Sequence, residues 1–149
     1  MPIRAIAAFV ALLVLPLAAP AKLPTDVEQQ LATAKYVYIS SQRKDGSWSK
    51  PAEIWYLWHD GAVYVGTRPG SWRVRRIKAG RPQAKIAVGK VDGPSFAATG
   101  SLVDDPAIQE LMLKSFAEKY PEGWKQHADS FRAGFKDRSR VVVKYVPNG

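Results

Sequence analysis

The stretch from residue 54 to residue 67 constrains the fold of this chain more than any other. Two apolar, aromatic and β-branched runs, Ile54-Trp55-Tyr56-Leu57-Trp58-His59 and Ala62-Val63-Tyr64-Val65-Gly66-Thr67, flank a central Asp60-Gly61. An Asp-Gly pair between such runs is the sequence form of a two-residue hairpin, because both turn positions need positive φ. The stretch therefore predicts two antiparallel neighbours, over residues 52–59 and 62–67. Along a strand, residues 55 and 57 face one way and residues 56 and 58 the other. Large aromatics on both faces mean that neither face is simply wet. One is expected to pack a core, the other to meet a helix, a second subunit or a flat ring system.

Further β-prone runs lie at residues 36–41, 85–91, 96–103 and 140–146, giving six strands. Arg43-Lys44-Asp45-Gly46 and Asp92-Gly93-Pro94 read as turns. Thr25 and Glu28 have capping-box spacing before a helix over residues 26–34. A short helix over residues 71–79 is ended by Gly80 and Pro82. Asp105 caps a third helix with Pro106 at its first position, and Ile108, Leu111, Met112 and Phe116 give it one apolar face. Tyr120-Pro121 stops it, and residues 124–131 are expected to add a turn or two of helix. Strands joined by short turns are too antiparallel for a doubly wound sheet, so the class is mainly β (α+β): a small closed or half-closed barrel with flanking helices.

The chain of 149 residues has room for one domain. Its start reads as an export signal. Met1-Pro2-Ile3-Arg4 is basic, residues 5–19 are apolar, and Ala19-Pro20-Ala21 offers small residues at a peptidase site. The apolar run, interrupted by Pro16, is shorter than the roughly 20 residues that span a bilayer. The reading is residues 1–21 as signal peptide and 22–149 as the domain, exported unfolded to a bacterial periplasm, with no stable membrane span after signal removal. There is no cysteine, so thiolate chemistry and disulfides are excluded.

Without its first 21 residues the chain keeps 21 Lys and Arg against 13 Asp and Glu, a net charge of +8. That favours anionic partners. Export, and the lack of any stacking motif or basic tail, argue against nucleic acid. The two histidines, His59 and His127, form no metal-ligand spacing. There is no nucleophile elbow, no Walker loop and no dinucleotide fingerprint. No catalytic side chain stands out.

One segment does carry chemistry. Thr67-Arg68-Pro69-Gly70-Ser71-Trp72-Arg73-Val74-Arg75-Arg76-Ile77-Lys78 follows a strand and opens a helix. It supplies hydroxyls, free backbone N–H groups, a helix dipole and several cations, a combination suited to phosphate. The competing reading is an ordinary helix capped by Ser71, with solvated arginines.

Three features in order resemble the flavin-binding split barrel of the pyridoxamine-phosphate-oxidase-like superfamily. They are Arg43-Lys44-Asp45-Gly46, the hairpin from Ile54 to Thr67, and Gly70-Ser71-Trp72-Arg73-Val74-Arg75-Arg76-Ile77. The resemblance continues through the later strands and covers nearly the whole of residues 22–149. It implies a six-stranded antiparallel split barrel binding FMN, with a deazaflavin, haem or no cofactor as alternatives. Carried over by position, Thr67, Ser71, Trp72 and Arg73 would hold the phosphate side. Ala52, Glu53, Ile54 and Trp55 would lie along the isoalloxazine. The oxidase branch sets basic residues on the second strand, where Glu53 and Trp58 stand here, so Arg68, Arg75 or Arg76 is expected to complete the grip. The resemblance also implies a homodimer with the site at the subunit interface, closed by partner residues such as Trp124. The implied function is an oxidoreductase acting on an unidentified small molecule, though not a vitamin B6 oxidase. The alternative is a non-catalytic binding or stress-related module.

Overall fold

The computed structural model describes residues 21–149, so the expected export signal lies, apart from Ala21, outside the described residues. Along the chain come α1 (Thr25–Thr33), β1 (Val37–Ser41), β2 (Ala52–Ile54), β3 (Leu57–His59) and β4 (Ala62–Thr67). They are followed by α2 (Trp72–Lys78), β5 (Gln83–Val88), β6 (Ser95–Val103), α3 (Pro106–Lys119), α4 (Pro121–Asp137) and β7 (Val141–Pro147). Among the described residues no helix is long and apolar enough to cross a membrane.

The hairpin forms as expected. Asp60 and Gly61 both take positive φ, 47° and 69°, and His59 pairs with Ala62. All strands join one antiparallel sheet in the order β2-β1-β5-β6-β7-β4-β3. The two edges of this sheet are consecutive in sequence, separated only by Trp55 and Tyr56. Laid flat, seven strands would hold their outer members roughly 29 Å apart, whereas three Cα–Cα steps span at most about 11 Å. The sheet must therefore curl until the end of β2 meets the start of β3. That curl is the split barrel.

Seven strands stand where six were expected, because the predicted strand over residues 52–59 breaks at Trp55-Tyr56. Tyr56 is fully buried. Its N–H donates to the Tyr120 hydroxyl at 3.2 Å. Its own hydroxyl reaches the carbonyls of Leu31 at 2.6 Å and Ala34 at 2.9 Å. These bonds replace ladder partners and carry the chain from one edge to the other. The alternation of faces survives the break. Tyr56 and Trp58 belong to the barrel interior, Trp55 and Leu57 to a second core outside it.

The interior core contains Val37, Ile39, Val63, Val65, Ile86 and Tyr145, plugged at one end by Val27 and Leu31 of α1. The outer core packs Ile108, Met112 and Phe116 of α3 and Trp124, Phe131 and Phe135 of α4 against Tyr64 and Val142. Asp105 caps α3 as expected, accepting from the N–H groups of Ala107 and Ile108. Thr25 does not cap α1: it is the first helical residue, and the Pro24 carbonyl accepts from Val27 and Glu28 instead. The helix over residues 124–131 extends to all of α4. Its Gly123 and Gly134 weaken helix propensity, yet both are required by packing. A Cβ on Gly123 would lie 2.6 Å from the Trp55 ring, and one on Gly134 2.8 Å from Cβ of Arg140.

Gly100 is a similar close approach, where a Cβ would stand 2.9 Å from the Tyr145 ring and 3.0 Å from Cδ1 of Ile77. Gly100→Ala is expected to destabilise the fold by about 1–3 kcal/mol through overpacking, measured as a lower urea midpoint with an unchanged slope.

Lys119, at the end of α3, has its ammonium 3.5 Å from the Tyr56 ring centroid and 3.5 Å from the Tyr56 carbonyl. Burial pushes its pKa down to about 8 from an ordinary 10.5. Below pH 8 both folded and unfolded chains carry the proton, and the folded state bears the full desolvation penalty. Between about 8 and 10.5 only the unfolded chain holds the proton, so stability rises with pH there. The partly exposed site reduces the effect to about 1–2 kcal/mol. The difference in denaturation midpoint between the wild type and Lys119→Met should shift in favour of the wild type from pH 8 to pH 10, a comparison in which the opposing ionisation of the buried tyrosines cancels.

Candidate functional site

β4 ends at Thr67, and Arg68-Pro69-Gly70 turns the chain into α2, with the Ser71 N–H donating to the Arg68 carbonyl. Ser71 occupies the cap position with extended backbone, φ −64° and ψ 152°, but its side chain makes no capping bond. Its Oγ is buried without any hydrogen-bond partner. The reading of Ser71 as a simple helix cap therefore fails. A hydroxyl withheld from its own helix and from solvent is poised for something else.

Ser71 lines a cleft of about 870 Å³ together with Ala52, Thr67, Trp72 and Arg73. Its charge is one-sided. Arg43, Lys44, Lys50, Arg73, Arg76 and Arg81 all line it, and no Asp or Glu does. None of the ion pairs among the described residues involves any of these six cations. Nη1 of Arg73 and Nε of Arg81 are buried with no partner, like Oγ of Ser71. Arg76 donates to the buried Ser41 hydroxyl at 2.5 Å. Burial pulls its pKa down, and repulsion from Arg43 and Arg81 adds to this. The nearest carboxylate in sequence, Asp45, is occupied by the N–H and hydroxyl of Ser47, which hold its pKa below the usual range. Beneath Arg73 lies Tyr145, whose buried hydroxyl likewise has no hydrogen-bond partner. Burial raises its pKa, while the Arg73 charge and a close but poorly aligned approach of the Arg73 guanidinium pull the other way.

Five of the eight predicted site residues thus come together. Glu53, Ile54 and Trp55 do not join them and instead line a separate hollow of about 330 Å³. The Glu53 carboxylate accepts from the Tyr38 hydroxyl at 2.6 Å. The Trp55 ring is stacked on Tyr120, with centroids 4.3 Å apart and planes 6° off parallel. Trp124 is buried against Phe116 and Phe131 of its own chain rather than exposed to a partner. Trp72, by contrast, is 66 % exposed, with the guanidinium groups of Arg75 and Arg76 over its ring.

Of the arginines expected to complete the grip, Arg76 lines the cleft, while Arg68 and Arg75 do not. The remaining cations come from elsewhere: Arg43, Lys44 and Lys50 from the connection between β1 and β2, and Arg81 from the residues after α2. Sequence reasoning missed these four. The signal available was the basic composition of the Arg43-Lys44 turn, which the Asp45-Gly46 tip disguised as ordinary loop chemistry. Neither histidine lines the cleft, and among the described residues no three His, Cys, Asp or Glu side chains gather as a metal site. The arrangement can bind and orient an anion. It offers no acid–base pair.

The sequence matches no protein-family model and no curated protein. Solved structures do resemble it. A conserved hypothetical protein from Mycobacterium tuberculosis superposes with a TM-score of 0.64 at 16% identity, covering 87% of this chain and 83% of that one. The heme storage protein HutZ from Vibrio cholerae gives 0.59 at 12% identity, over 87% and 92%. A Clostridium acetobutylicum protein of the pyridoxinephosphate oxidase family, related to general stress protein 26, gives 0.57 at 16% identity, over 82% and 81%. Fold and strand order together define the class: this chain has the split-barrel fold that these solved structures share.

Proposed function

We propose that the cationic cleft binds FMN, with Ser71 and Arg73 donating to its phosphate and Thr67 beside them. One observation carries the reading. Three buried polar atoms, Oγ of Ser71, Nη1 of Arg73 and Nε of Arg81, lack partners in a cleft lined by six cations and no carboxylate. A buried unmet donor costs about 1–3 kcal/mol. A dianionic phosphate offers each of them a charge-assisted bond, so the penalty in the empty site becomes affinity in the filled one. The backbone at Ala52 and the exposed Trp72 ring leave room at the mouth for a flat group.

When bound, the flavin supplies hydride or electron transfer, and the protein contributes binding and orientation. That division fits a site without acid–base side chains. The protein so described is an exported, homodimeric oxidoreductase with its site at the subunit interface and a small-molecule substrate. A haem ligated by histidine is less compatible with the cleft, because neither His59 nor His127 lines it. A purely anion-binding module remains the alternative, and the experiment separates the two.

The test is a fluorescence titration with FMN and with riboflavin, which lacks the phosphate. FMN is expected to bind at least tenfold more tightly, since one charge-assisted bond contributes about 1.5 kcal/mol or more. Its affinity should fall as salt is raised. Absence of FMN binding, or equal affinity for the two flavins, contradicts the proposal.

A further inference from the structure

The second hollow has a chemistry of its own. Glu53, Ile54, Trp55, Gly66, His127, Phe131 and Arg140 line it. Ala52 and Thr67 line the cationic cleft, while Glu53 and Gly66, their neighbours along β2 and β4, line the hollow. Alternation turns Glu53 and Gly66 away from the cleft, and His127 and Phe131 place the hollow against α4, while Ile54, which shares the Ala52 face, reaches it at the end of β2.

Arg140 is its distinctive group. The guanidinium lies 3.8 Å from the centroid of the Phe131 ring. It is only partly exposed, and it is absent from the ion pairs found among the described residues. Burial pulls its pKa down, and repulsion from Arg68 adds to this. Its stem is seated by two glycines. A Cβ on Gly66 would stand 3.4 Å from Cδ of Arg140, and one on Gly134 2.8 Å from its Cβ. The one carboxylate in the lining, Glu53, accepts from the Tyr38 hydroxyl at 2.6 Å and forms no ion pair with Arg140. The apolar lining is aromatic: the rings of Trp55 and Phe131 are stacked on each other, 5° off parallel with centroids 6.0 Å apart, so a ligand ring meets their edges, and His127 stands edge-on to Trp55 at 5.7 Å.

We infer that this hollow is a second ligand site, which takes a planar aromatic molecule bearing one carboxylate, with Arg140 as the receptor for the charge. A partly buried guanidinium without a counter-ion among the described residues offers a planar fork that matches a carboxylate in two parallel bonds. The aromatic walls supply the apolar contact for the ring. The volume of about 330 Å³ falls at the lower end of small-molecule pockets, which suits one or two fused rings. Because the hollow and the cleft lie on opposite faces, this site stands whether or not the cleft holds a flavin.

The probe is 2-naphthoate, compared with its uncharged analogue 2-naphthylmethanol, in titrations of the full protein followed by calorimetry and tryptophan fluorescence. Naphthoate should bind at least tenfold more tightly than the alcohol, and saturating inorganic phosphate should leave its affinity unchanged. Its quenching of fluorescence should diminish in Trp55→Phe. Arg140→Gln should weaken naphthoate at least tenfold and the alcohol less than twofold. Equal binding of the two probes, displacement of naphthoate by phosphate, or undiminished affinity in Arg140→Gln overturns the inference. If Arg140→Gln does not fold, the charge preference and the phosphate competition decide it in the wild type.

Discussion

Arg73→Ala is expected to weaken FMN binding by about 1.5–3 kcal/mol, roughly a 10- to 150-fold rise in Kd. The size follows from burial. Nη1 of Arg73 is shielded from water and has no protein partner, so a phosphate oxygen at that position gains a charge-assisted bond with little competition from solvent. Arg73→Lys should recover only part of the loss, because an ammonium cannot reproduce the planar fork. Arg75→Ala, on the same helix but outside the cleft lining, should change affinity less than about threefold, the scale of a screened surface charge. The free protein adds a second check. Removing a buried donor that has no partner should leave the unliganded fold as stable as before, or more so. A residue retained at an energetic disadvantage in the free state is the mark of a binding group rather than a structural one. Calorimetry of the wild type and the three variants, paired with urea midpoints of the unliganded forms, checks both statements.

Tyr56→Ala is expected to lower stability by about 3–5 kcal/mol, and Tyr56→Phe by about 1–3 kcal/mol. Tyr56 is fully buried and sits at the only covalent link between the two sheet edges. Truncation to Ala leaves a ring-sized cavity under Lys119 and frees the break between β2 and β3. The Phe variant keeps the ring but leaves the Leu31 and Ala34 carbonyls, which end α1, without their hydroxyl. Urea denaturation separates the two contributions, with the Phe variant reporting the hydroxyl alone. The slope should remain that of the wild type if the unfolded state is unchanged. Loss of closure should also loosen Ala52, which lines the cleft, so FMN affinity is expected to fall in Tyr56→Ala more than in Tyr56→Phe.

Much of the fold was legible in the chain because its signals were local. The Asp60-Gly61 pair dictates the hairpin through backbone φ, and Asp105-Pro106 dictates the start of α3 through an N-cap and a compatible proline. Alternation in Trp55-Tyr56-Leu57-Trp58 separated the two pairs of side chains correctly, but which pair fills the barrel was seen only in the structure. What was missed depends on distant partners. The break at Tyr56 follows from bonds to Leu31, Ala34 and Tyr120, which no local propensity encodes. The length of α4 was hidden by Gly123 and Gly134, whose reasons are the Trp55 ring and the Arg140 stem. Thr25 lost the cap position because the Pro24 carbonyl already served it.

The site divided in the same way. The segment from Thr67 to Arg73 was found from one continuous stretch of hydroxyls and cations, and the structure keeps Thr67, Ser71, Trp72 and Arg73 of it in one cleft. The opposite wall, with Arg43, Lys44, Lys50 and Arg81, could not be read, because only the barrel brings those turns to the mouth of α2. Glu53, Ile54 and Trp55 were read as cleft residues from their place on one strand; the pleat turns Glu53 and Trp55 to the other face, and Ile54, on the Ala52 face, falls beyond the cleft.

The most direct measurement is a crystal structure of the protein soaked with FMN. It should place phosphate oxygens within about 3 Å of Oγ of Ser71 and Nη1 of Arg73, with Arg81 also satisfied. A phosphate found elsewhere, with those atoms still unpartnered, would contradict the account.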